Sequence, residues 1–143
     1  FSDSLCYMKN EQGVQQVFDE VYQALEDEGR FLFDVHSIYQ VDTVFPEYSY
    51  HYQNDRFAFL WDSYPGKEKH SIEHFLTFFV EDPQGSGTFI REDELHQEQT
   101  YSLDNYLRML ENSGFSKVEA YADFTDDQPS EETQRLFFVA YKE

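Results

Sequence analysis

The sequence predicts an α/β protein, part of an open doubly wound sheet into which an antiparallel β-subdomain is inserted. Three observations carry this reading. Helical apolar spacing followed by a short apolar run occurs near the start, the same pairing recurs near the end, and alternation dominates the stretch between them. The doubly wound part therefore covers residues 1–38 and 102–143, and the insertion covers residues 39–101.

Val14, Val17, Phe18, Val21, Tyr22 and Leu25 recur at helical spacing, with Asn10 placed to cap the segment and Gly29 to end it. Residues 31–35, Phe-Leu-Phe-Asp-Val, are short, apolar and bounded by Gly29 and polar residues, as a buried parallel strand would be. Tyr48, Tyr50 and Tyr52, then Phe57, Phe59 and Trp61, then residues 70–80 and 88–101, read as antiparallel strands. Asn54-Asp55, Pro65-Gly66 and the stretch Asp82-Pro83-Gln84-Gly85-Ser86-Gly87 supply turn chemistry between them. Leu103, Tyr106, Leu107 and Leu110 return to helical spacing between a Ser102 cap and a Gly114 stop, with Phe115 packing back on the last turn. Val118, Ala120, Ala122 and Phe124 alternate as one strand, and the apolar run from Arg135 to Tyr141 is long enough for a central one.

A parallel strand at residues 31–35 needs neighbours on both edges, and only the C-terminal part of this chain can supply one. The N-terminal, cofactor-binding half of such a sheet is therefore expected to lie outside the sequence, which opens on Phe1 and not Met. That requirement also exposes the reading. A free margin at residues 31–35, or purely antiparallel neighbours, counts against it.

Ten Lys and Arg against 29 Asp and Glu give a formal net charge of -19, which repels phosphate backbones and anionic headgroups, so neither nucleic acid nor membrane is expected as a partner. Aromatics at 19% are too plentiful for a solvated acidic tail. The single cysteine, Cys6, excludes an internal disulfide and reads as a small buried residue. No apolar run is long enough to span a bilayer and no basic-then-apolar leader pattern opens the chain, so a reducing, cytoplasmic setting is expected.

Three groups of residues carry candidate chemistry. Ligands of an open α/β sheet sit beyond the carboxyl ends of its strands, where Asp34, Val35, His36 and Ser37 would emerge. Period-two spacing puts Glu92, Glu94, His96 and Glu98 on one strand face, where a histidine among carboxylates can act as an oriented base. Tyr39, Tyr50, Phe59 and Trp61 can line a cavity for flat or cationic ligands, although aromatics at alternating positions more often form core. His70 and His74 have metal-ligand spacing for a helix, but their segment reads as a strand with no third ligand, so no metal is expected there.

Residues 1–8, Phe-Ser-Asp-Ser-Leu-Cys-Tyr-Met, are similar to a Cys-Asp-Ser-Leu-Asn-Tyr-Leu segment that leaves the fourth strand of one enzyme family, with Cys6 where Asn is usual. Residues 24–35 resemble that family's helix, Leu-Lys-Pro-Gly-Gly turn and fifth strand, of whose turn only the final glycine remains. Leu60-Trp61-Asp62, then Glu94-Leu95-His96-Gln97 with Tyr101, then Leu110 through Gly114-Phe115, follow the order of its later signatures. Taken together these residues resemble the C-terminal half of class I S-adenosylmethionine-dependent methyltransferases, in a small bacterial group with an antiparallel insertion after strand five.

The resemblance implies a parent protein that moves a methyl group from S-adenosylmethionine to a small or medium-sized acceptor. This chain would be its acceptor-side half, inactive alone. Asp3 and Ser4 would then leave strand four and contribute to cofactor binding, Asp34, His36, Tyr39 and Trp61 would bind the acceptor, and Glu94 and His96 would be catalytic. The glycine-rich strand-to-helix turn that holds the cofactor is missing, since Gly85 and Gly87 precede a strand, so weak or no cofactor binding is expected of this chain. Two rival readings remain open: a complete cone-like α+β ligand-binding module, or an interaction domain. On the interaction-domain reading, and on the primary reading as well, the truncated sheet is expected to pair with a second copy as a homodimer.

Overall fold

The computed structural model describes residues 2–85 and 87–143. Phe1, which opens the resemblance, and Ser86, in the turn predicted at residues 82–87, lie outside the described residues.

After a short 3-10 turn, Asp3–Tyr7, helix α1 spans Glu11–Ala24, its start capped by the Asn10 side chain, which accepts from the Gly13 amide. The helix ends at an extended Leu25, before Gly29 is reached. Gly29 closes the following turn by donating its amide to the Glu26 carbonyl at 3.0 Å, and a Cβ there would lie 2.7 Å from that oxygen. Strand β1 is Arg30–His36, and a π-helical turn follows at Gln40–Val44. Four antiparallel strands come next: β2 Ser49–Gln53, β3 Phe57–Pro65, β4 Ser71–Glu81 and β5 Phe89–Gln99, in the order β2-β3-β4-β5. Asn54 turns β2 into β3 by accepting from the Arg56 and Phe57 amides.

Helix α2, Leu103–Ser113, starts on the Ser102 hydroxyl, which accepts from the Asn105 amide, and stops at Gly114 in the left-handed region. Strands β6, Lys117–Ala122, and β7, Arg135–Tyr141, complete a second sheet of order β1-β7-β6.

Two expectations are corrected here. β1 is not a parallel strand: it pairs antiparallel with β7 (Phe33 opposite Phe138), and its other edge has no strand partner among the described residues. This is the outcome that counts against the doubly wound reading, and the sheet itself gives that reading no support. An unbroken apolar run reports burial; it does not report strand direction. The sheet is also not wound on both faces. Val14 and Phe18 of α1 and Tyr106, Met109 and Leu110 of α2 pack with Phe31, Phe33, Val35, Phe138 and Ala140 into one core, whereas Leu32 on the opposite face is 59% exposed. Ring stacking at 4.7 Å between Phe31 and Phe33 and 4.8 Å between Phe33 and Phe138 fills that core.

A third correction concerns Phe124, read as the end of β6. The strand stops at Ala122, Asp123 takes φ +52°, and Phe124 is 86% exposed. Asp123 instead clamps the loop, its carboxylate accepting from the Gln134 and Arg135 amides. No helix of the described residues is long and apolar enough to cross a membrane.

The two sheets meet at Thr100, which is fully buried. Its hydroxyl donates to the His36 carbonyl at the end of β1 and contacts the Tyr106 hydroxyl of α2 at 3.0 Å.

Replacing Gly114 by Ala should lower stability by about 1–3 kcal/mol in chemical denaturation, because φ is +108° and the new Cβ would lie 2.9 Å from Tyr22 Cζ. An unchanged midpoint would show that this helix end is looser than described. Cys6, 1% exposed, has its thiol pushed up to about 12, mainly by burial. Alkylation at neutral pH should therefore be slower by about a thousandfold in the native protein than in urea.

Candidate functional site

A cavity of about 480 Å³ opens where the turn Asp3–Tyr7, the end of β1 and the inner face of the four-stranded sheet converge. Strand alternation decides which side chains reach it. On β3, β4 and β5, Trp61 lies opposite Leu76, Ser63 opposite His74, and His74 opposite His96, so these positions share one face, and Glu98 follows His96 by two residues on the same face. His36 is the last residue of β1, and the π-helical turn places Gln40 in the wall and Phe45 just beyond it. The Phe45 ring stands edge-on to two imidazoles, 5.0 Å from His36 and 4.8 Å from His74.

The inner wall is a buried polar cluster. The Trp61 Nε1–H donates to Ser63 Oγ at 2.9 Å and to His74 Nδ1 at 3.1 Å, and Ser63 Oγ lies 2.7 Å from the same nitrogen. Nδ1 is thus the acceptor, and the proton sits on Nε2, 3.7 Å from Glu98 Oε1. Burial lowers the His74 pKa to about 4, with His36 adding to the effect, so this ring is neutral near pH 7. Burial also raises the Glu98 pKa, opposed by His36, and Glu98 Oε2 has no hydrogen-bond partner among the described residues. His36 Nε2 lies 3.4 Å from that oxygen and 3.3 Å from Asp3 Oδ2. The contact with His36 is the main reason the Asp3 carboxyl sits well below the usual carboxylate range.

At the cavity mouth a second chain of groups runs outward. The Tyr7 hydroxyl is 2.8 Å from His96 Nδ1, and His96 Nε2 is 2.9 Å from Glu94 Oε2. A proton on Nε2 donates to Glu94 and leaves Nδ1 to accept from Tyr7. Burial, reinforced by Glu98, raises the Tyr7 pKa and keeps the phenol protonated. This order of acid, imidazole and hydroxyl is what an oriented general base requires.

Of the residues singled out in the sequence, the fold brings Asp3, His36, Phe59, Trp61 and His96 into the cavity wall, Glu94 reaches it through His96, and Tyr50 stays exposed outside it. Ser4 is exposed and its hydroxyl donates to the Ser2 carbonyl, Asp34 is held in an ion pair with Arg135, and Tyr39 is half-buried away from the wall. His70 turns outward to Asp42 at 2.6 Å, so it does not converge with His74. Five wall residues escaped selection: Tyr7, Gln40, Phe45, Leu76 and Arg135. Glu98 and His74 were visible on predicted strand faces but without assigned roles; the burial that sets them apart depends on the junction of the two sheets.

The described residues do not form a cradle for S-adenosylmethionine. β1 leads to its π-helical turn through Ser37-Ile38-Tyr39 and β5 leads to α2 through Thr100-Tyr101-Ser102, with no glycine at either strand-to-helix passage. Asp3 is engaged by His36 and Arg135, and Ser4 by its own backbone.

Ser63→Ala removes the hydroxyl that accepts from Trp61 and donates to His74, and should cost about 1–2 kcal/mol, measured by denaturation followed through the fluorescence of Trp61. No loss would mean that the cluster is not assembled in solution.

No protein-family model matches the chain. It is 43% identical over 142 residues to a protein of Geobacillus sp. (strain WCH70) named "Putative methyltransferase", spanning 99% of this chain and 57% of that protein. It is 38% identical over 140 residues to "Putative methyltransferase YqeM" of Bacillus subtilis (strain 168), spanning 98% of this chain and 56% of that one. Among solved structures it is similar to an S-adenosylmethionine-dependent methyltransferase from Clostridium acetobutylicum, with TM-score 0.83 and 21% identity over 98% of this chain and 55% of the other. It is also similar to DesVI of Streptomyces venezuelae, with TM-score 0.74 and 17% identity over 100% and 56%. The chain thus spans somewhat more than half the length of the curated relatives it matches, and its two antiparallel sheets match part of a methyltransferase fold.

Proposed function

We propose that this chain is the acceptor-side part of an S-adenosylmethionine-dependent methyltransferase acting on a small or medium-sized acceptor, and that it is inactive alone. The observation that carries the proposal is 43% identity, maintained over 99% of the chain, to a protein named for methyltransferase activity. The unpaired edge of β1 does not carry it.

The chain's own residues support defined roles. Phe45 and Trp61 form an apolar wall that excludes water and positions the acceptor, and positioning is the larger part of what such a pocket contributes. Gln40 Oε1, buried with no hydrogen-bond partner among the described residues, calls for a donor on the acceptor. His96, with Glu94 fixing its tautomer, takes the acceptor's proton at Nδ1, relayed through the Tyr7 hydroxyl, which gives its own proton to His96 as it receives the acceptor's. Cofactor contacts fall to sequence this chain does not contain.

A second reading, a complete small-ligand-binding module, is favoured by one observation: among the described residues every paired strand runs antiparallel to its neighbour.

Calorimetry with S-adenosylhomocysteine separates the two. A chimera in which this chain replaces the matching 56% of the Bacillus subtilis relative should bind it, and this chain alone should give no heat of binding. Tight binding by the chain alone, or a folded chimera that binds nothing, overturns the division of labour.

A further inference from the structure

Asp3, His36 and Glu98 arrive from the first turn, the end of β1 and the end of β5, and their ligand atoms all lie within 4.8 Å of one another. Each carboxylate is used on one side only. Asp3 Oδ1 faces Arg135 at 3.7 Å and Glu98 Oε1 faces His74 Nε2 at 3.7 Å, which leaves Asp3 Oδ2 and Glu98 Oε2 turned to His36 Nε2 at 3.3 and 3.4 Å. These separations are long for a good hydrogen bond. Both fall at the edge length of a tetrahedron, about 3.3–3.6 Å, around a divalent cation with ligand bonds of about 2.0–2.2 Å, and the third separation lies within 4.8 Å.

An independent observation points the same way. The Glu98 side chain is 3% exposed, and its Oε2 has no hydrogen-bond partner among the described residues, although a buried carboxylate oxygen left alone is costly. The neighbouring His74 imidazole, with its proton on Nε2, stands 3.7 Å from the other Glu98 oxygen, on the side from which bound metals take outer support.

We propose that Asp3, His36 and Glu98 form a three-ligand site for one divalent first-row cation, of the zinc or manganese class, with its remaining position open to the cavity. One imidazole nitrogen and two carboxylate oxygens suit such an ion, and the surrounding net charge of -19 enriches cations at the surface. The site is distinct from the His70 and His74 spacing visible in the sequence. In the open position a hydroxyl or thiol would lose its proton more readily. The proposal does not rest on the methyltransferase reading, because binding is read without cofactor or acceptor.

The test uses the chelator-stripped chain titrated with Co(II), a spectroscopic stand-in for zinc. One equivalent should bind with the intense visible absorption of a four- or five-coordinate ion and raise the thermal midpoint. Asp3→Asn, a half-exposed position that should fold normally, and Glu98→Gln should each weaken binding by about tenfold or more. His70→Ala, paired outside the cavity with Asp42, should change nothing. The proposal is overturned if cobalt keeps its weak hexaaqua spectrum, if Asp3→Asn binds like the parent, or if His70→Ala is weakened equally. Midpoint elevation by an alkylammonium salt but not by the metal also overturns it.

Discussion

Everything in the cavity depends on one buried hydroxyl. Thr100 joins the last residue of β1 to the exit of β5, and the Tyr106 hydroxyl holds it from α2. The helix-covered sheet and the four-stranded sheet have separate apolar clusters, the smaller formed by Val41, Phe45 and Ile72 with Trp61 against it. The Thr100 link, with the Phe45 ring packed on both His36 and His74, holds His36 of one sheet within 3.4 Å of Glu98 of the other. Desolvated polar contacts of this kind are strong because breaking them strands buried groups.

The charge distribution follows from the same junction. Most of the 29 acids lie on solvated surfaces, where they cost little and repel one another weakly. Glu98 is different: the junction takes it out of water, where its neighbours include the imidazoles of His36 and His74, at 3.4 and 3.7 Å, and the Tyr7 hydroxyl. The site is therefore short of positive charge in a way that composition alone does not reveal.

The sequence made local structure plain where one chemical rule dominates. Asn10, Ser102 and Gly114 punctuate the helices as read, and the alternation of Tyr50, Phe59, Trp61 and His96 puts them on the faces expected. Direction and layering were less legible. Phe31, Phe33 and Val35 are buried and Leu32 is exposed, a one-sided pattern hidden because every residue but Asp34 in the run is apolar. The site was legible in part: His96 and Glu94 stand two apart on a strand, but the approach of Tyr7 to His96 joins residues 89 positions apart, and no spacing rule reports that. Arg135 looked like a strand start and is also the partner of Asp34.

Asp123 has a further consequence. Its backbone and carboxylate close the base of the acidic loop between β6 and β7 on Arg135 and Gln134, while Ser37 donates to the Thr133 and Gln134 carbonyls at the loop's far end. Lengthening or shortening that segment carries only a slowly growing entropic cost. With both ends of the loop tied, a change of length in its exposed middle leaves Arg135 at its station beside the cavity.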